Sequence, residues 1–159
     1  MARPTYPPVV REIARATTDA VAAARAGDVD AFTPATQRLA GLDPGQVGLV
    51  LGAVIRSLLE DQHPDGLSGE DAQAVIARCA SAAYPWFPDV DPNALLLVLS
   101  GAMGVFPADE EPIPVTPLGV AQHAPLLVAD LLAAADQPFE PRLHSALAEI
   151  ARAQTTEHP

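Results

Sequence analysis

Helix start signals recur along this sequence and constrain its fold more than any other feature. In each, a side chain with a capping oxygen directly precedes a proline. The oxygen accepts a hydrogen bond from a free backbone N–H of the first helical turn, and the proline ring is preset for the first helical position. These signals, which predict helix starts, are Asp43-Pro44, Asp91-Pro92 and Thr116-Pro117.

Composition extends this pattern to the whole chain. Ser68 predicts a further start, because Asp71 lies three residues later as in a capping box. Hydrophobic residues make up 49% of the 159 residues but aromatic residues only 4%, which favours closely packed, alanine-lined helices over strands. We therefore predict an all-α, compact orthogonal bundle of six or seven helices, at roughly 8–26, 29–40, 44–62, 69–84, 92–105, 117–135 and 140–155.

Two of these helices are predicted to be central, because residues 44–62 and 92–105 leave little polar face. Gly48 and Gly52 lie four residues apart on the first of them. Each glycine costs up to about 1 kcal/mol relative to alanine inside a helix. A close approach of another helix would compensate, so these glycines are interface candidates; glycines that are merely tolerated are the alternative.

The chain reads as a single helical domain, 1–159, with one irregular segment. Four prolines and three consecutive acids between Phe106 and Pro117 predict an acidic, proline-rich loop over 107–116. Within the helix that follows, Pro125 lacks a backbone donor and predicts a kink or break near His123.

Charge and cysteine content limit the partners and the cellular compartment that can be expected. The formal net charge is -11, and the nine arginines are spread along the chain. Binding to nucleic acid or to an anionic membrane is therefore not expected. A lone cysteine, Cys79, forms no internal disulfide, and the N-terminus shows no secretion signal, so we expect a cytoplasmic protein with a buried, inert thiol.

The acidic stretch "EDQHPDGLSGED", Glu60 to Asp71, offers weak metal ligand candidates: Glu60, Asp61, His63 and Asp65. Read as a calcium loop from Asp61, it has histidine at the third position and alanine at the twelfth, where a bidentate glutamate is required. A solvated turn that ends in a helix cap is favoured, and no metal or other cofactor is predicted.

Aromatic residues concentrate in "YPWFPDVDP" at a predicted helix end. They are expected to plug the end of the bundle. The alternative is a pocket for a small apolar ligand, walled by these rings and by the helix around Pro125. The pocket candidates are Tyr84, Trp86, Phe87, Met103 and His123, although a surface or hydrogen-bonded interior role is preferred for the histidine.

Three functions remain open on these observations. The sequence contains no nucleophile elbow, phosphate-binding loop or zinc-protease motif, so an enzyme is uncertain and not preferred. The favoured hypothesis is a non-enzymatic interaction or regulatory protein that binds a protein partner and self-associates. A homodimer is expected because twofold dimers are the commonest oligomers. A binder of a small apolar ligand and a metal-dependent activity at residues 60–65 are the alternatives.

Overall fold

A computed structural model describes residues 6–104 and 115–157 of the chain. Those residues form α-helices joined by short connections, and none of them lies in a strand. The predicted all-α bundle is confirmed, with boundaries that differ by at most two residues. The helices are α1 (Pro8–Ala26), α2 (Val29–Ala40), α3 (Pro44–Gln62), α4 (Gly69–Ala83), α5 (Pro92–Met103), α6 (Pro117–Ala135) and α7 (Phe139–Glu157).

The predicted capping residues start their helices. Asp43 accepts from the backbone N–H of Gln46 at 3.2 Å, and Thr116 accepts from Gly119 at 3.0 Å. The predicted capping box is complete, because Ser68 and Asp71 each accept the other's backbone N–H at 3.0 Å. Asp91 caps α5 and Asp28 caps α2; the second of these was not predicted.

The centre of the bundle is α6, which packs against α1, α2, α3, α4 and α5. Ten of its residues are buried, from Ala121 to Leu132. The prediction of a central helix is correct for α3, which buries eight residues. It is wrong for α5, which buries only Leu95 and Leu99. An apolar composition favours burial, but the number of surrounding helices decides how much of it is achieved.

Pro125 does not break α6, which runs continuously from Pro117 to Ala135. The proline is itself buried, so its ring packs in the core at the position where a backbone donor is missing. The predicted acidic loop lies almost entirely outside the described residues.

Candidate functional site

The carboxylates of the acidic stretch make separate structural contacts and do not converge on one site. Asp61 forms an ion pair with Arg142 of α7, and Asp71 caps α4. Hydrogen bonds from Ser68 lower the pKa of the Asp71 carboxyl. The Nδ1 atom of His63 lies 3.6 Å from Asp71 Oδ2. Over 6–104 and 115–157 no three His, Cys, Asp or Glu side chains gather as metal ligands, so the geometry gives the metal hypothesis no support.

Three of the five pocket candidates belong to one aromatic cluster at the α4 end. Trp86 and Phe87 both pack edge-on to Phe32 of α2, with ring centroids 5.0 and 5.3 Å away. The Phe87 ring also lies 6.3 Å from the ring of His123. The cluster closes this end of the bundle.

The other two pocket candidates lie apart from this cluster. Tyr84 is 64% exposed. Met103, the last residue of α5, is partly buried at the edge of the core. The structure therefore does not gather the five predicted side chains around one cavity.

A cavity of about 450 Å³ does open beside Trp86, between the end of α1 and helices α4 and α6. Small residues form most of its wall, which also includes Arg25, Cys79 and Asp130. Burial raises the pKa of the Cys79 thiol to about 12, which keeps the sulfur protonated and unreactive. Asp130 is held by Arg78 through Nε at 2.9 Å and a terminal nitrogen at 2.7 Å.

His123 lies inside the bundle, with 4% of its surface exposed. Its Nδ1 is 2.8 Å from the carbonyl oxygen of Gly119, one turn earlier on α6. Its Nε2 accepts a hydrogen bond from the backbone N–H of Asp91 at 3.0 Å. Burial, the largest effect, lowers the pKa of the imidazole. Both ring nitrogens are thus occupied, as the preferred interior role requires.

The interface candidates Gly48 and Gly52 lie on a surface that we call the glycine groove. It consists of two adjoining hollows, of about 260 and 380 Å³, that share four small residues. α5 comes near α3 at Gly52, where an added Cβ would lie 3.9 Å from the Cα of Ala102. An added Cβ on Gly48 would meet no described atom within 4 Å. The shared floor is Gly48, Gly52, Gly101 and Ala102.

The rim of the glycine groove is partly apolar and partly charged. Leu49 lines the larger hollow and is 55% exposed. Arg56 and Glu149 also line it and face each other at 3.7 Å. The groove therefore places an exposed leucine, a floor of small residues and a pair of opposite charges on one face.

Sequence reasoning missed the α5 side of this groove and the polar ties between helices. Gly101 carried the same signal as Gly48, a glycine within an apolar helix. Arg78 and Asp130 are separated by 52 residues and carried no local signal. The same holds for Arg142, which donates to Ser57 of α3 at 3.0 Å.

By length and mean hydropathy, 1.4 over its most apolar window, α6 meets the criteria for a membrane-crossing helix. In the bundle 56% of that window is buried, as in the central helix of a globular protein.

No protein-family model matches the chain, and comparisons with curated proteins and with solved structures found no match.

Proposed function

We propose that this chain is a non-catalytic helical interaction module that docks through its glycine groove, and that its partner is a second copy of itself. The observation that carries the proposal is the exposure of Leu49 beside a floor of small residues, where Cβ atoms added to Gly48 and Gly101 would contact no described atom within 4 Å. A large apolar side chain and an unfilled apolar hollow on one surface are features of docking sites.

The glycines support an external partner because the monomer does not require all of them. Within the described part of the chain, Cβ atoms added to Gly48 and Gly101 would meet nothing within 4 Å, so alanine would fit at both positions there. Glycine destabilises a helix interior by about 0.5 to 1 kcal/mol relative to alanine. A partner side chain or helix that presses onto the floor would compensate for that loss.

A second copy fits this surface because a twofold interface must be self-complementary. Leu49 and the hollow lie side by side, so each copy can offer its leucine to the hollow of the other. Arg56 and Glu149 on the rim supply both signs of charge, which lets the copies pair them reciprocally. The net charge of -11 on each copy opposes association at low salt.

Two buried groups with reactive chemistry support a role without catalysis. The raised pKa of Cys79 keeps it as a thiol, and both nitrogens of His123 are engaged by backbone groups. Neither side chain is available as a nucleophile or a general base in this arrangement.

Sedimentation equilibrium of the Leu49→Asp variant tests the proposal. We expect the wild-type chain to dimerise and the variant to associate about tenfold more weakly or not at all, because a buried apolar anchor is replaced by a charge. Raising the salt concentration should strengthen wild-type association by screening the like net charges.

The matched control is Leu96→Asp, which places the same charge on a leucine that is 42% exposed and lines neither hollow. A second variant, Gly101→Leu, should fill the floor and also block association. A wild-type chain that stays monomeric at millimolar concentration contradicts the proposal, as does equal behaviour of the two aspartate variants.

The cavity beside Trp86 supports a second candidate function, the binding of a small apolar ligand. Its volume of about 450 Å³ lies within the range of small-molecule sites, and an aromatic ring forms part of its wall. Native mass spectrometry of freshly purified protein should then show a reproducible added mass. Ala133→Leu at the cavity should remove that mass, whereas Ala134→Leu, next to it and outside the lining, should not.

A further inference from the structure

The two hydrogen bonds of His123 fix its protonation state without reference to any titration. The carbonyl oxygen of Gly119 only accepts, so Nδ1 at 2.8 Å must carry the hydrogen. The backbone nitrogen of Asp91 only donates, so Nε2 at 3.0 Å must be bare. The structure therefore specifies the neutral Nδ1–H tautomer.

Protonation of this ring would convert one of those bonds into a conflict. An imidazolium carries a hydrogen on both nitrogens, so its Nε2–H would face the N–H of Asp91. The hydrogen bond would be lost, and a positive charge would remain in an interior position. Movement of Asp91 away from α6 relieves both effects, because water can then solvate the ring.

Little in the surroundings compensates a charge on His123. The buried polar residues of the described chain are Thr17 on α1, Thr36 on α2 and His123 itself; the others are apolar. The charged group that favours the protonated ring is Asp91, and its effect on the pKa is smaller than that of burial. Further along α6, Asp130 is already paired with Arg78 of α4.

The segment that His123 holds is the α4–α5 connection, residues 84–91. It ends at Asp91, the cap of α5, whose carboxylate accepts from the N–H of Asn93 at 2.9 Å. It also carries Trp86 and Phe87, which close the end of the bundle. A break at Asp91 N–H therefore affects both the start of α5 and the aromatic cluster.

We propose that His123 is an acid-sensitive latch: its neutral ring holds the α4–α5 connection against α6, and its protonation releases that segment. The proposal does not rest on the glycine groove, because neither His123 nor Asp91 lines its two hollows.

The direction of the pH effect follows from the direction of the pKa shift. The pKa of His123 is lowered from the ordinary value of 6.5 in the closed state, so the open state binds more protons. The stability of the closed state is fully present above that ordinary value and falls as the pH drops toward the lowered pKa. Within this window the equilibrium constant for opening of the α4–α5 connection rises by up to about tenfold for each unit by which the pH falls, as expected for the uptake of one proton.

Hydrogen exchange read by mass spectrometry measures the release directly. After correction for intrinsic exchange rates, peptides covering residues 84–95 should lose protection between about pH 7.5 and about pH 5.5. Peptides from α3 should keep theirs. In parallel, nitrogen-15 NMR of the histidine rings should show the Nδ1–H tautomer for His123, and its titration should coincide with the loss of protection.

The variant His123→Gln keeps a neutral side chain that donates and accepts hydrogen bonds but cannot take up a proton in this range. It should abolish the pH dependence of protection in residues 84–95. The control His144→Gln removes a histidine whose side chain is 68% exposed and should leave that dependence intact. If the glutamine variant does not fold, the wild-type NMR titration alone decides.

Equal protection of residues 84–95 at the two pH values would overturn the latch. So would an Nε2–H tautomer of His123 in the wild-type protein at neutral pH, or acid-induced opening that persists in a folded His123→Gln variant.

Discussion

α5 and α6 are the most apolar helices of the bundle, yet they are buried to very different extents. α6 is surrounded by α1 to α5 and buries ten residues. α5 packs against α3, α4 and α6 and buries two. Leu96 of α5 remains 42% exposed. Hydrophobicity therefore predicts that both segments form packed helices, but it does not predict their depth.

The difference separates two uses of apolar surface. On α6 it holds the fold together, since five helices, α1 to α5, pack against it. On α5 part of it is incompletely covered, and the partly buried Leu97 and Val98 line the smaller hollow of the glycine groove. The apolar surface of α5 that the bundle does not cover is therefore available to a partner. Substitutions on α5 and α6 test whether the apolar surfaces of the two helices have these different roles.

The largest expected effect comes from truncating a leucine on each helix. Leu127 of α6 is fully buried, and Leu127→Ala should lower the free energy of unfolding by about 2 to 5 kcal/mol because it leaves a cavity. Leu96→Ala on α5 should change it by no more than about 0.5 kcal/mol. Urea denaturation of both variants measures this difference. Comparable losses would show that α5 is as central as α6.

A smaller effect is expected from the polar anchor of α6. Asp130 is 8% exposed at its side chain and Arg78 is 48% exposed, so their pair lies between the buried and surface classes. Asp130→Asn should cost about 1 to 2 kcal/mol, because one partner remains able to reach water. Glu149→Gln in the exposed pair with Arg56 should cost about 0.5 kcal/mol or less. Thermal unfolding of both variants at one salt concentration makes the comparison, and equal losses would contradict it.

The sequence predicted the helices because their signals are local. The caps at Asp43, Ser68, Asp91 and Thr116 each involve a backbone N–H two or three residues further along. The partners of such a bond are close in sequence, so the helix start is encoded locally even though packing stabilises the helix. Helix boundaries could therefore be predicted to within two residues without knowledge of the packing.

The candidate sites were less predictable because their contacts join distant parts of the chain. Asp91 and His123 are 32 residues apart, and Arg142 and Ser57 are 85 apart. The clustering of Trp86 with Phe87 was visible in the sequence, whereas their packing on Phe32 of α2 was not. The glycine groove was anticipated only on α3, since nothing local shows that Gly101 lines the same hollows as Gly52.

The smallest expected effect separates the stability of the monomer from its association with a second copy. A Cβ added at Gly101 meets no atom of residues 6–104 and 115–157 within 4 Å, so Gly101→Ala should stabilise the monomer by about 0.5 to 1 kcal/mol. The same methyl group takes space on the floor of the glycine groove and should weaken self-association. Denaturation at low protein concentration and sedimentation at high concentration measure the two changes separately.

Gly69→Ala supplies the control, because Gly69 also has open space around it but lies at the start of α4, away from the groove. It should leave association unchanged. If Gly101→Ala stabilises the monomer but weakens self-association, the glycine lowers the stability of the monomer and favours binding of the partner. Association that is unchanged or strengthened in that variant would mean that this glycine is only tolerated, and that the exposed surface of α5 results from having too few neighbouring helices.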